Sequence, residues 1–144
     1  MILLDTSVLI NYFKGNETPK TRLLDAILHR GIAYGISPYT YQELLQGAKD
    51  EREFALLQAY LKTQRIYYLP QTVEVFEKAA RIYFDLRRKG ITLRGTIDIL
   101  IALTAAHHQL SLLHDDRDFD AMVSVMQSLK IATELYQTSR PSCP

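Results

Sequence analysis

The 144-residue sequence predicts an α/β fold, a three-layer α/β/α sandwich built on a parallel sheet of about five strands. Short apolar runs alternate with amphipathic helical segments, an order typical of parallel sheets joined by right-handed helical crossovers. The composition, 47% hydrophobic and 23% charged, is that of a globular domain. We therefore expect one domain over residues 1–137, followed by a disordered polar tail over residues 138–144.

Five short apolar runs, bounded by turn or helix-start residues, provide the predicted strands. They cover residues 1–4, 33–36, 66–69, 110–113 and 131–136. The first run ends at Asp5, whose side chain is suited to capping the helix that follows. The second ends at Ser37 and Pro38, which are typical of a helix start. The third is closed by Pro70, which cannot donate a backbone hydrogen bond.

The segments between these runs carry apolar residues at helical spacings of three and four. The longest such segment follows Pro70 and ends in a basic turn, residues 87–89, with Gly90 as its stop signal. The apolar stripe expected to be buried on it consists of Val73, Phe76, Ala80, Tyr83 and Phe84. The next segment, residues 97–108, is apolar almost all round, which predicts a helix buried in the core.

Composition also limits the class of protein. A single cysteine, Cys143, rules out an intramolecular disulfide and suits a reducing cytoplasm. No apolar run approaches the roughly 18–20 residues needed to span a bilayer, and the N-terminus lacks the basic region of a signal peptide. We therefore expect a cytoplasmic protein with no membrane partner. Since the formal net charge is +1, any nucleic-acid binding must depend on local charge.

Four acidic residues fall where a parallel sheet collects the N-termini of its helices. Asp5 follows the first strand, and Glu43 lies early in the helix after the second. Asp98 lies in the first turn of the helix before the fourth strand, and Asp116 comes three positions after the end of that strand. Because these helix starts all lie at the carboxyl edge of the sheet, the four carboxylates are expected to share one rim. That rim is where open α/β sheets bind ligands.

Each carboxylate also has a purely structural interpretation. Asp5 fits a helix N-cap, and Asp98 fits a first-turn acid favoured by the helix dipole. Glu43 stands three residues after Thr40, the spacing of a capping box. A joint explanation is simpler, because clustered carboxylates repel one another unless a cation lies between them. Carboxylate oxygens favour Mg²⁺ or Mn²⁺, and the scattered histidines make zinc the weaker option.

The sequence resembles the PIN domain and, within that family, the VapC-type toxins of bacterial toxin–antitoxin pairs. The matching segments are, in order, LLDTSVLI, SPYTYQELLQG, RGTIDILIALTAA and LLHDDRDFD. No single segment is decisive, but their order and spacing extend the resemblance over residues 1–136. It implies a metal-dependent endoribonuclease with an acidic pocket. The family's catalytic carboxylates fall on Asp5, Glu43, Asp98 and Asp116.

The resemblance and the chemistry of the carboxylates together suggest a mechanism. Asp5, Asp98 and Asp116 are expected to hold Mg²⁺ or Mn²⁺, with Glu43 and Asp118 as further candidate ligands. The metal would lower the pKa of a bound water and orient it for in-line attack on an RNA phosphodiester. Glu43 would either bind a second ion or act as general base. The expected products carry a 5′-phosphate and a 3′-hydroxyl.

The sequence leaves two assignments open, namely the function of Thr6 and the choice between Asp115 and Asp116 as a ligand. The hydroxyl that the family places beside its first aspartate falls on Thr6, which fits a helix cap equally well. In the last motif, Asp115 is an alternative to Asp116 as the ligand, because this loop varies across the family.

Binding of RNA is expected to come from positive charge close to the acids. Arg87, Arg88, Lys89 and Arg94 are four cations within eight residues that lead to Asp98. Arg94 is nearest and is expected to bind a phosphate beside the scissile bond. Arg87 and Arg88 fit that function and the ordinary electrostatics of a helix C-terminus equally well.

The resemblance also implies partners, namely a VapB-type antitoxin and a second copy of the chain in a homodimer. Three competing functions fit part of the pattern. A receiver-type phosphoacceptor is disfavoured because the third strand ends in IYYLPQ, without the required aspartate. An RNA-processing nuclease outside a toxin system and a catalytically inactive PIN-like binding module remain alternatives.

Overall fold

A parallel sheet between two groups of helices forms the three layers of the computed structural model, which describes residues 1–133. Within these residues there are four strands and seven helices. The strands are β1 (Ile2–Leu4), β2 (Tyr34–Gly35), β3 (Ser111–Leu113) and β4 (Lys130–Ile131). The helices are α1 (Thr6–Phe13), α2 (Pro19–His29), α3 (Pro38–Gln46), α4 (Glu51–Leu61), α5 (Val73–Arg88), α6 (Ile97–His107) and α7 (Arg117–Val123).

The strands are ordered β2-β1-β3-β4, and every neighbouring pair is parallel. The predicted three-layer α/β class is confirmed, but the described sheet has four strands instead of five. In the predicted third strand, residues 66–69, only a single parallel bridge joins Ile66 to Ile36. The pairing stops there because the next residue, Ser37, already caps α3. The end of the predicted last strand and the predicted tail lie outside the described residues.

The two central strands, β1 and β3, bury both of their faces, since successive side chains point to opposite sides of a sheet and all of their residues are buried. Leu3 and Leu112 contribute to a core that also contains residues of α5, α6 and α7. Ile2, Leu4 and Leu113 contribute to a second core with residues of α1 to α4. Burial on both faces explains why the two central strands, ILL and SLL, contain almost only apolar residues.

Helix α5 buries a different stripe from the one predicted. Ile82 and Leu86 are buried, with Tyr83 half-buried beside them. The exposed residues include four of the five that were predicted to be buried, namely Val73, Phe76, Ala80 and Phe84. Both stripes have helical spacing, so periodicity alone could not decide which one packs against the sheet. The prediction was wrong for this reason.

Helix α6 is buried as predicted, with Ile101, Ala102 and Ala105 fully inaccessible. Its first turn carries Asp98, and α6 runs antiparallel to the strands, so this turn lies at the carboxyl edge of the sheet. Among residues 1–133, none of the helices combines the length and the apolar character that crossing a membrane requires.

Candidate active site

A depression of about 430 Å³ is lined by all four of the predicted catalytic carboxylates, Asp5, Glu43, Asp98 and Asp116. They come from the start of α1, the middle of α3, the start of α6 and the residue before α7. The fold therefore brings together side chains that are up to 111 positions apart in the sequence, Asp5 and Asp116. Asp118, in the first turn of α7, lies close to this group.

Asp5 is both the N-cap of α1 and a member of the acidic group. Its Oδ2 accepts hydrogen bonds from the Ser7 N–H at 3.0 Å and the Ser7 hydroxyl at 2.5 Å. Its Oδ1 is buried and has no hydrogen-bond partner among residues 1–133. Burial raises the pKa of Asp5, while the hydrogen bonds from Ser7 lower it. The capping interpretation is thus correct, but it accounts for only one of the two oxygens.

Glu43 is held by Thr6 and not by a capping box. The N-cap of α3 is Ser37, whose hydroxyl accepts from the Thr40 N–H at 3.2 Å, so a capping box between Thr40 and Glu43 is ruled out. The Thr6 hydroxyl donates to Glu43 Oε1 at 2.8 Å. This hydrogen bond joins α1 to α3 and orients the Glu43 carboxylate at the pocket.

Asp98 is partly desolvated and lies among four other carboxylates. Desolvation and the negative charges of Asp5, Asp116, Glu43 and Asp118, in that order, raise its pKa to about 7. A carboxyl group in this environment is stabilised either by protonation or by a nearby cation. The dipole of α6 favours the negative charge of Asp98 but does not cancel this repulsion.

Asp116, and not Asp115, points into the acidic group. Asp116 caps α7 by accepting from the Asp118 N–H at 3.0 Å. Its own N–H donates to Nδ1 of the buried His114 at 3.1 Å, and burial lowers the pKa of that histidine. The Asp115 carboxylate instead accepts from the Asn11 side-chain amide at 3.0 Å. The two adjacent aspartates therefore have different surroundings.

Of the three arginines predicted to bind RNA, Arg94 contacts the carboxylates of the pocket. Its Nη2 lies 3.1 Å from Asp116 Oδ1 and 3.2 Å from Asp116 Oδ2, and its Nε lies 3.6 Å from Asp118 Oδ2. Arg87 and Arg88 do not line the pocket as the structure describes it. Their guanidinium groups lie over aromatic rings of their own helix, at 5.9 and 5.6 Å.

Ser7 is a site residue that the sequence analysis missed. Besides donating to Asp5, its hydroxyl accepts from the Asp115 N–H at 2.9 Å. It therefore fixes the carboxylate after β1 and the loop after β3 to each other. A hydroxyl residue two positions after a capping aspartate was the available signal, since such side chains readily bond to nearby turns.

The donor set fits a hard divalent cation. Asp98, Asp116 and Asp118 each offer a carboxylate oxygen, and these oxygens lie within 4.8 Å of one another. Asp118 Oδ2, like Asp5 Oδ1, is buried without a hydrogen-bond partner in the described part of the chain. An all-oxygen set of this kind suits Mg²⁺ or Mn²⁺. Asp118, one of the further candidate ligands of the prediction, belongs to this cluster, and Asp5 lines the pocket that contains Asp98 and Asp116.

Known proteins resemble this chain in sequence over most of its length. The family model of the PIN domain matches residues 2–124. Ribonuclease VapC1 of Rickettsia felis is 35% identical over 117 residues, 78% of this chain and 82% of that protein. Ribonuclease VapC11 of Mycobacterium tuberculosis is 29% identical over 126 residues, 87% of this chain and 93% of that protein.

Solved structures share the fold at lower identity. VapBC2 from Rickettsia felis, bound to a DNA fragment from its promoter, has a TM-score of 0.66 at 19% identity, covering 92% of this chain and 98% of the other. VapBC-1 from nontypeable Haemophilus influenzae has a TM-score of 0.65 at 21% identity, covering 92% and 97%. The sequence matches and the shared fold lead to one conclusion: the chain belongs to the PIN-domain family, among its VapC-type members.

Proposed function

We infer that this protein is a Mg²⁺- or Mn²⁺-dependent endoribonuclease, the toxin of a VapBC-type toxin–antitoxin pair. The observation that carries the proposal is the single pocket lined by Asp5, Glu43, Asp98 and Asp116. An acidic pocket repels a phosphodiester, so it is suited to cutting RNA only when a cation bridges the two. The relatives named as ribonucleases support RNA as the substrate.

Several carboxylates of the pocket would together ligate the ion. Asp98, Asp116 and Asp118 would supply one ligand oxygen each, and Asp5, whose Oδ1 has no hydrogen-bond partner among residues 1–133, lines the same pocket. When bound, the divalent ion lowers the pKa of a water and neutralises charge that develops on the scissile phosphate. Asp5 stays oriented because Ser7 engages its other oxygen.

Glu43 serves as general base or as a ligand of a second ion. The hydrogen bond from Thr6 engages Oε1 and leaves Oε2 to accept a proton from the attacking water. Arg94 binds a phosphate of the RNA at the lip of the pocket, since its planar guanidinium matches phosphate geometry. Cleavage by an attacking water is expected to leave a 5′-phosphate and a 3′-hydroxyl.

The partners expected of a toxin are part of this proposal. Structures related in fold are named as VapBC complexes, which supports a VapB-type antitoxin as the partner of this chain. The lone Cys143 supports the cytoplasm, where such a pair would meet its RNA.

The exposed face of α5 supports a homodimer. Val73 and Phe76, which are 70% and 45% exposed, lie on an apolar stripe. Glu74 is near the start of the helix and Arg88 is at its end. Two copies of α5 packed antiparallel would cover both stripes and bring opposite charges together across a two-fold axis. Light scattering tests this: a purely monomeric mass at micromolar concentration would contradict it, whereas a dimer that Phe76→Glu dissociates supports it.

The proposed activity is tested by cleavage of end-labelled total RNA with Mn²⁺, Mg²⁺ or EDTA. Asp98→Asn is the test variant, because it keeps the size of the side chain and removes its charge. Asp50→Asn is the matched control, because Asp50 caps α4 away from the pocket and asparagine caps helices equally well. We expect metal-dependent cuts in the wild type and the control, and none in Asp98→Asn.

Other results would favour one of the alternative functions or exclude this pocket as the active site. If folded, antitoxin-free wild type cuts no RNA with either metal, the inactive binding module replaces the nuclease. If it cuts RNA but its induction does not arrest growth, the RNA-processing nuclease outside a toxin system is favoured. Equal cleavage by Asp98→Asn would remove this pocket from the mechanism.

A further inference from the structure

Arg94 contacts the same oxygen atoms that the divalent cation requires. Its Nη2 lies within hydrogen-bonding distance of both oxygens of Asp116, at 3.1 and 3.2 Å. Its Nε lies 3.6 Å from Oδ2 of Asp118, an oxygen that is buried and has no hydrogen bond within residues 1–133. Two of the three carboxylates in the candidate cation cluster are therefore paired with this one side chain.

The guanidinium and a bound divalent ion compete for these oxygens. Metal ligation places a cation roughly 2.0–2.6 Å from each carboxylate oxygen, inside the shell where the nitrogens of Arg94 lie. Two positive charges a few ångströms apart also repel each other, even where water screens them in part. Since Arg94 contacts both oxygens of Asp116 and repels a second cation there, binding of the ion favours withdrawal of Arg94.

The position of Arg94 makes withdrawal easy. Its side chain is 73% exposed, and exposed ion pairs contribute little to stability. It lies between α5 and α6 in an irregular segment that contains Gly90 and Gly95. Gly90 has a positive φ of 81°, which glycine adopts at little cost. Among the described residues, the side chain of Arg94 has Asp116 and Asp118 as its only polar partners.

A withdrawn Arg94 would still stand at the lip of the pocket, which it lines together with Asp98. Its five N–H donors would then face solvent at the point where the RNA backbone must enter. Guanidinium groups bind phosphate oxygens in a bidentate manner, just as they bind carboxylates. The same side chain is thus suited to two anionic ligands in turn.

We propose that Arg94 is a positioning residue that exchanges ligands, pairing with Asp116 and Asp118 until a divalent cation takes these carboxylates, and then binding a phosphate of the RNA. The second step rests on the proposed nuclease function, whereas the first does not. Binding of metal and binding of RNA are then positively coupled, because each favours the same position of one side chain.

The first step is tested by the dissociation constant for Mn²⁺, measured from the paramagnetic resonance of the free ion without RNA. Arg94→Met should bind Mn²⁺ about 5- to 10-fold more tightly than the wild type, because a competing cation is removed. The dissociation constant of Arg94→Lys should lie between those of the wild type and Arg94→Met, since lysine keeps the charge but cannot span two carboxylates. Arg52→Met is the control, because it removes an exposed cation on α4 and should change the constant less than about twofold.

The second step is tested by steady-state RNA cleavage at saturating Mn²⁺. Arg94→Met should raise KM about tenfold with little change in kcat, the pattern of lost substrate binding. Unchanged or weaker Mn²⁺ binding by Arg94→Met would overturn the proposal, and an unchanged KM would overturn the exchange of ligands. If the protein cuts no RNA while Arg94→Met still binds Mn²⁺ more tightly, the nuclease and the second step fail and the competition stands.

Discussion

Replacement of Asp98 by asparagine should stabilise the protein above pH 7 when no divalent cation is present. The Asp98 carboxyl group is partly desolvated and surrounded by Asp5, Asp116, Glu43 and Asp118, which together raise its pKa to about 7. The unfolded chain relieves this stress, because there the group has its ordinary pKa of 3.8. Asparagine removes the charge and nearly preserves the shape of the side chain. The free energy of unfolding should therefore increase.

The size of the effect follows from the shift in pKa. A change from 3.8 to about 7 would correspond to roughly 4 kcal/mol, at about 1.36 kcal/mol for each unit. Solvent screens the charge because the side chain of Asp98 is only half-buried, so we expect roughly 1–2 kcal/mol. For a domain of this length, that gain raises the melting temperature by about 3–8 °C.

The sign of the pH dependence provides the sharper check. A carboxyl group with a raised folded pKa contributes most favourably below its unfolded pKa of 3.8, and that contribution is lost as the pH rises to about 7. The advantage of Asp98→Asn should therefore be complete at pH 8 and should shrink steadily towards pH 4. Thermal unfolding in EDTA measures it, with Asp50→Asn as control. An asparagine variant no more stable than wild type at pH 8, or equally favoured at pH 4.5, would refute the reasoning.

Three further predictions concern the same site and its support. Ser7→Ala should cost about 1–2 kcal/mol of stability in urea unfolding and weaken Mn²⁺ binding, because Asp5 loses its hydroxyl donor; unchanged values would remove Ser7 from the site. Gly35→Ala should cost about 1–3 kcal/mol, since a Cβ there would lie 2.5 Å from the ring of Tyr67; a melting temperature equal to that of wild type would contradict this. Mn²⁺ affinity should fall as the pH drops below about 7, because protonated Asp98 cannot ligate, and a flat profile from pH 8 to 6 would contradict ligation by an Asp98 whose pKa is raised to about 7.

The fold class was predictable because it follows from features that are local in the sequence. Apolar runs buried on both faces, together with helix-start residues such as Ser37, determine where strands end and helices begin. The strand prediction was wrong where strand formation depends on pairing between segments that are distant in the sequence. Residues 66–69 look like a strand, yet only Ile66 finds a partner, because the neighbouring chain has already turned into α3.

The edge of the sheet where the carboxylates meet was predictable from topology, but the atoms that each carboxylate uses were not. Asp115 and Asp116 are adjacent and chemically identical, so no local pattern distinguishes them. The difference comes from Asn11, which binds Asp115 from 104 positions away in the sequence. Thr6 likewise holds Glu43 across 37 positions. Such hydrogen bonds form only after the strands have brought the helix starts together. Which carboxylates are available as ligands therefore depends on the folded edge of the sheet and not on the local sequence.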